Sequence, residues 1–413
     1  MDAAASARRM NLRGAASALL LAASSAGAQA SYRHEHEPIG NVRQMYDGVL
    51  SPFLAANTFR NIHRLFPTRA VRASAAPRPL PAADRQITEV TFRDRDNSWS
   101  LEQYLELNRV SGLLVLHDGR IALERYRLGN ARDSRWMSMS IAKSITSTLI
   151  GAAVRQGHIR SLDDPVTRYV PTLRGSAYDG ASVRDVLMMA SGVRWNETYT
   201  DPASDRRKLL EAQIAQTPGA AMALMASLPR AGAPGTRNTY STGETQVAAE
   251  ILRGAVRMPL SRYLEERIWS RYGMEADANW WLDSPGGVEI GGSGFSATLR
   301  DFARFGQFLL DGGVAGGDSI LPAGWIAEAT TPKRLRSGEL LQYGYLWWPF
   351  PSPVRSDSAF AGVGIFGQYL YVNPRARVVI ALWSAQTRPT GGEVLNDVAF
   401  FDAVVQQLRK PRG

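Results

Sequence analysis

Across 413 residues, 48 Lys and Arg outnumber 38 Asp and Glu for a formal charge of +10, and 45% of positions are hydrophobic, an ordinary composition for a globular chain of one large or two to three modest domains. The absence of cysteine excludes a disulfide framework, a thiolate metal site and a cysteine nucleophile, and five histidines argue against a histidine-rich metal centre, so neither metal nor other cofactor is expected. The basic excess is nearly all Arg with no concentrated run, which fits solubility better than a nucleic-acid partner.

Residues 1–30 read as an export signal. Arg8, Arg9 and Arg13 precede a mildly apolar stretch from Ala15 to Ala26, and Ala28-Gln29-Ala30 supplies the small-x-small pattern of a cleavage site. The Arg8-Arg9 pair also suits the twin-arginine route. The expected location is therefore the periplasm or the medium, and no later stretch is apolar for long enough to span a bilayer. Residues 31–90 read as an N-terminal arm and linker, with 70–83 (AVRASAAPRPLPAA) an extended connector.

The folded domain is expected over 91–413. Two β-like runs flank His117-Asp118-Gly119-Arg120 and predict a hairpin. A long helix is predicted from Ser140 to Gln156, with Gly157 as its stop. From about 160 to 290 the signals are mainly helix and loop, including Ser182–Ala190 and Thr245–Val256. Asp301–Leu310 reads as an amphipathic helix ending at Gly312-Gly313. A second hairpin is predicted around Asn373-Pro374-Arg375-Ala376, and Glu393–Leu408 reads as a final helix. Strands from both ends can share one antiparallel sheet only if the middle is an insertion. The expected class is thus α/β, in the α+β sense: an antiparallel sheet flanked by helices, with an inserted helical region and a cleft between them.

Chemistry concentrates at Ser140-Ile141-Ala142-Lys143. A spacing of three residues brings both side chains onto one helix face, where a Lys of lowered pKa can take the Ser proton. The positive end of the helix disfavours an ammonium there, and its free N–H groups suit an oxyanion. A competing reading makes Ser138 or Ser140 a simple N-cap, although Lys at the third helical position fits a cap poorly. Tyr240, in Tyr240-Ser241-Thr242-Gly243, offers a phenol to relay a proton, provided neighbouring cations lower its pKa. Gly362-Val363-Gly364-Ile365 allows close backbone approach, with the Ile365 N–H as a second oxyanion donor; the competing reading is a plain Gly-rich turn.

Further segments extend the pattern: Val186-Leu187-Met188-Met189-Ala190-Ser191-Gly192, then Gly291-Gly292-Ser293-Gly294-Phe295-Ser296-Ala297-Thr298-Leu299-Arg300-Asp301, then Gly364-Ile365-Phe366-Gly367-Gln368. In this order they make residues 95–410 resemble the serine β-lactamase and penicillin-recognising superfamily. Within it, the chain is most similar to the class C β-lactamase-related serine hydrolases of the aminohexanoate-dimer hydrolase branch. The resemblance implies Ser140 as nucleophile, Lys143 as base, Tyr240 as general acid/base, and the N–H groups of Ser140 and Ile365 as oxyanion hole. It further implies Tyr199, Gly364, Trp347 and Trp348 as substrate-binding residues, although a loop Tyr and adjacent Trp residues also serve as packing. Two departures stand out: the superfamily's Lys-Thr-Gly is Gly362-Val363-Gly364 here, and its Tyr-x-Asn is Tyr240-Ser241-Thr242. Both weaken β-lactam hydrolysis as the native reaction and leave acyl transfer to linear amides or esters, a small-molecule substrate. The alternative is a catalytically idle protein of the penicillin-recognising fold that binds cell-wall peptides.

Competing chemistries lack their motifs. No Gly-x-Ser-x-Gly elbow occurs, and neither a phosphate loop nor a dinucleotide fingerprint is present. His117 lies in a predicted turn and His158 at a predicted helix end. His34-Glu35-His36 reads as an exposed terminal segment rather than a metal site.

Overall fold

A computed structural model describes residues 32–350 and 357–409. The expected export signal at 1–30 lies outside the described residues.

The predicted hairpin forms between Val110–His117 and Arg120–Tyr126, turned by Asp118 and Gly119, both with positive φ (51° and 74°). It joins a six-stranded antiparallel sheet whose other members come from the far end of the chain. In spatial order these are Trp348–Pro349, Phe360–Gly364, Gln368–Asn373 and Val378–Ser384, followed by the two hairpin strands. The seam between the chain's two ends pairs Val378 with His117 through Leu382 with Leu113.

Val110–His117 reads as a continuous apolar run because both its faces are buried. Leu113 and Val115 face one core with Ile380, Leu382, Phe400 and Phe401 of the final helix, Asp397–Arg409. Leu114 and Leu116 face the other core with Val379 and Ala381, Ile145 and Leu149 of the Ile141–Arg155 helix, and Phe302 and Phe305 of the Leu299–Leu310 helix. The two-residue alternation of the strand therefore sorts its side chains between two helical layers. The final helix begins four residues later than the sequence pattern indicates, at Asp397.

A second antiparallel sheet, in the order Thr68–Val71, Ala278–Trp281, Phe295–Thr298, Arg135–Met137, lies beneath the start of the Ile141–Arg155 helix. Thr68–Val71 corrects the reading of residues 31–90 as an arm. Together with the Val42–Asp47 and Pro52–Arg60 helices and the short Ile62–Arg64 turn of helix, it contributes Met45, Tyr46, Phe59, Ile62 and Val71 to the core. Phe59 meets Trp136 edge-on, and the Ile62 carbonyl accepts the Trp281 indole N–H at 2.7 Å. Only the stretch beyond Val71 runs as an irregular connector, tied down by a bridge between Ala82 and Ile121.

Between the sheets' strands lie the inserted helices, among them Val183–Leu187, Asp205–Ile214, Ala220–Ser227 and Thr242–Val256. The last starts three residues earlier than the pattern indicates because the Ser241 hydroxyl accepts the Glu244 N–H at 3.0 Å and caps it.

Candidate active site

Ser140 stands at the first turn of the Ile141–Arg155 helix, delivered there by the Arg135–Met137 strand and by Met139, whose φ of 43° lies in the left-handed region. A non-glycine residue is held there at a cost of about 1 kcal/mol or more, a common feature beside reactive groups. Ser140 occupies the N-cap position, but its side chain accepts no capping hydrogen bond. Ser138 donates to the Met139 carbonyl, and the Ser140 Oγ lies 2.8 Å from Lys143 Nζ, one turn further on.

Lys143 is buried, with Nζ also 3.0 Å from Thr242 Oγ1 and 3.0 Å from the Gly292 carbonyl. Burial brings its pKa down from 10.5 to about 7; Arg206 pushes the same way and Glu197 opposes. An amine near neutrality at physiological pH is a competent proton acceptor.

Tyr240 approaches from the insertion. Its ring stacks on Trp348 (5.7 Å between centroids) and lies 5.5 Å from Lys143 Nζ, and it lines the same cavity as Ser140. The expectation that cations lower the phenol's pKa is overturned. Burial, reinforced by the charge of Glu197, pushes it up, outweighing Ser140 and Arg206. The phenol therefore stays protonated and is equipped to donate.

On the sheet side, Gly362 and Gly364 are required by contact rather than by turn geometry. A Cβ on Gly364 would sit 2.5 Å from the Ser138 carbonyl oxygen, and one on Gly362 would sit 3.1 Å from Ser144 Oγ. Their absence lets the strand lie against the first turn of the helix, so that Ile365 reaches the cavity containing Ser140. That cavity, of about 310 Å³, is also lined by Tyr199, Tyr240, Trp348 and Gly364. An adjoining cavity of about 600 Å³ shares Tyr199 and Tyr240 and reaches Glu197.

Trp347 is the exception among the expected binding residues. It is buried edge-on against Phe360, 5.2 Å between centroids, and lines neither cavity. Successive residues of an extended segment point to opposite sides, so one Trp of the pair packs and the other faces the cleft. His34 is also structural, with Nδ1 2.8 Å from Glu37 and Nε2 3.1 Å from Ser134.

Sequence reasoning missed Glu197. Its carboxylate accepts the Thr242 backbone N–H at 2.9 Å, the Thr242 hydroxyl and the Trp195 indole N–H. Its proximity to Tyr199 in Asn196-Glu197-Thr198-Tyr199 was the one signal, and nothing local distinguishes it from a loop carboxylate.

Residues 101–403 match the β-lactamase family. Over 348 residues the chain is 32% identical to the 6-aminohexanoate-dimer hydrolase of Paenarthrobacter ureafaciens, covering 80% of this chain and 85% of that protein. The chain belongs to the β-lactamase family. Within that family it is a serine hydrolase, with the mixed α/β architecture the sequence led us to expect. The same fold is seen in a candidate 6-aminohexanoate-dimer hydrolase from Bacillus anthracis, at TM-score 0.76 and 23% identity over 86% of this chain and 94% of that one. It is also shared with a family VIII carboxylesterase (TM-score 0.54, 17% identity, 72% of this chain and 92% of the other). A class C β-lactamase from Rhodobacter sphaeroides gives TM-score 0.53 and 18% identity over 74% of this chain and 97% of that one.

Proposed function

We propose that this β-lactamase-family hydrolase cleaves linear amides or carboxylic esters through an acyl-enzyme on Ser140. The observation that carries the reading is the 2.8 Å contact between the Ser140 hydroxyl and a buried amine whose pKa is brought down to about 7. Ser140 Oγ attacks the substrate carbonyl carbon as its proton passes to the Lys143 lone pair. The backbone N–H groups of Ser140 and Ile365 hold the oxyanion. Collapse breaks the bond to the amine or alcohol, which leaves with the phenolic proton of Tyr240. The Lys143 ammonium returns a proton to Tyr240, so the net transfer is from Ser140 to the leaving group. Water then attacks the acyl-enzyme through the same groups and restores Ser140. Tyr199, Gly364 and Trp348 shape the walls that hold the substrate.

The charge of the cleft supports an amide or ester over an anionic β-lactam. Gly362-Val363-Gly364 provides no cation, and among the described residues the charged side chains lining the Ser140 cavity are Glu393 and Asp397, both acidic. The name of the Paenarthrobacter relative, a hydrolase of a linear amide dimer, supports the same substrate class. Action in the periplasm or outside the cell is part of the proposal and rests on residues 1–30 alone.

Two measurements test the reading. Mass spectrometry after a fluorophosphonate probe is expected to place the adduct on Ser140, and Ser140→Ala is expected to abolish p-nitrophenyl ester turnover. Equal turnover by wild type and Ser140→Ala would remove Ser140 from the mechanism; absence of turnover by both would favour a peptide-binding role.

A further inference from the structure

We propose that Glu197 is a positioning residue for acylation: by holding the Thr242 hydroxyl proton, it forces the lone pair of Lys143 toward Ser140. The inference rests on the acyl-enzyme reading above and concerns how its base is aimed.

A neutral amine has two N–H donors and one lone pair. Lys143 Nζ has three oxygen neighbours: Ser140 Oγ at 2.8 Å, Thr242 Oγ1 at 3.0 Å and the Gly292 carbonyl at 3.0 Å. The carbonyl can only accept, which commits one N–H. The Thr242 hydroxyl could either accept the second N–H or donate its own proton into the lone pair. In the second case the lone pair is occupied and the amine is no base toward Ser140.

Glu197 decides between the two. Its carboxylate oxygens accept from the Thr242 hydroxyl, the Thr242 N–H at 2.9 Å and the Trp195 indole N–H. Three donors converge on a group that cannot donate in return. With the hydroxyl proton held by Glu197, the Thr242 oxygen can only accept from Nζ. Both N–H groups of Lys143 are then spoken for, and the lone pair is left for the Ser140 proton. The hydrogen bonds of Glu197 go to Thr242 and Trp195 rather than to Ser140 or Lys143, so it acts on the amine through Thr242. The position is one where this chain departs from its superfamily: a hydroxyl in place of the Asn amide needs an external group to fix its proton, whereas an amide presents fixed donor and acceptor atoms.

The charged and titratable groups facing Lys143 are Glu197 and Arg206 from the insertion and the Tyr240 phenol. Glu197 is the one that favours the ammonium, so removing its charge moves the Lys143 titration to lower pH. A Gln at 197 would also present N–H groups to Thr242 and turn the hydroxyl toward Nζ. The variant therefore carries a paired signature: slower acylation and an acid limb displaced downward.

The experiment compares wild type, Ser140→Ala, Glu197→Gln, Thr242→Ser, Thr242→Val and the Glu197→Gln/Thr242→Val double variant. It measures kcat/KM for p-nitrophenyl butyrate from pH 5 to 9, normalised to fluorophosphonate-titrated sites, or to protein concentration for Ser140→Ala, which has no nucleophile to titrate. Glu197→Gln is expected to lose about tenfold or more, with its acid limb below that of wild type. Thr242→Ser should rescue the hydroxyl function, Thr242→Val should not, and the double variant should be little worse than either single one because both remove the same link. A Glu197→Gln protein within about twofold of wild type, an unmoved acid limb, or multiplicative losses in the double variant would overturn the proposal. If those results came with an inactive Ser140→Ala, the acyl-enzyme reading would stand without Glu197. Full turnover by Ser140→Ala would remove both.

Discussion

Replacing Lys143 by Met should make the protein more stable at neutral pH while abolishing its chemistry, and the size of the effect should depend on pH. In the folded chain the amine titrates at about 7, against an ordinary value of 10.5. Between those values the unfolded chain binds one more proton than the folded one, so stability rises with pH. Each pH unit is worth about 1.4 kcal/mol, so the penalty carried by the wild-type amine is about 5 kcal/mol at pH 7 and about 2 kcal/mol at pH 9. Met escapes this penalty but loses three hydrogen bonds, each worth about 1 kcal/mol. Lys143→Met should therefore be about 2 kcal/mol more stable than wild type at pH 7 and about 1 kcal/mol less stable at pH 9, with the curves crossing near pH 8. Urea unfolding of the two proteins at half-unit steps from pH 6.5 to 9.5 measures the difference directly, since all other titrations cancel. A difference that stays flat with pH, or one that grows in favour of Met as pH rises, would refute the argument that burial holds this amine neutral.

Three further outcomes follow from the geometry. Gly364→Ala places a Cβ 2.5 Å from the Ser138 carbonyl and should move strand and nucleophile apart, lowering kcat by about 10²-fold, with Gly362→Ala, at 3.1 Å, costing less; steady-state kinetics on titrated sites would show the order. Trp347→Ala should lower stability by about 3–5 kcal/mol, whereas Trp348→Ala should mainly raise KM; denaturant melts together with kinetics separate the two, and an exchange of these effects would reverse the assignment of packing and cleft residues. Burial raises the Glu244 carboxyl well above its ordinary value of 4.5, so the folded chain holds a proton that the unfolded chain has lost, and stability falls as pH rises from 4.5 toward the folded value. Glu244→Gln removes that slope, and its advantage over wild type in urea should widen from pH 5 to pH 7.

What could be read from the sequence was whatever its local pattern encodes. Asp118-Gly119 specified a hairpin, the stop at Gly157 bounded a helix, and the three-residue step from Ser140 to Lys143 placed two groups on one face. The partnership of the chain's two ends followed from a topological rule rather than from any one segment. Residues 42–71 were illegible because their core positions are set by partners some two hundred residues away, as when the Ile62 carbonyl meets the Trp281 indole. Trp347 and Trp348 are the same residue type side by side, and only their distant partners, Phe360 for one and Tyr240 for the other, decide which packs. The phenol of Tyr240 was expected to be acidified by cations, but burial proved the larger effect. Glu197 has no motif of its own, and its importance arises from a hydroxyl 45 residues away.

The seam that joins Val378–Ser384 to Val110–His117 fixes when this chain can first do chemistry. Ser140 follows one side of that seam, Tyr240 lies between, and Ile365 directly follows a strand, Phe360–Gly364, that is aligned only through the other side. A nascent chain lacking its last hundred residues would own a nucleophile and a base yet have no wall on which to fix an oxyanion. Pairing across so long a separation is slow to form, and turnover accordingly reports the completed sheet: recovery of ester hydrolysis during refolding should lag the return of helical signal.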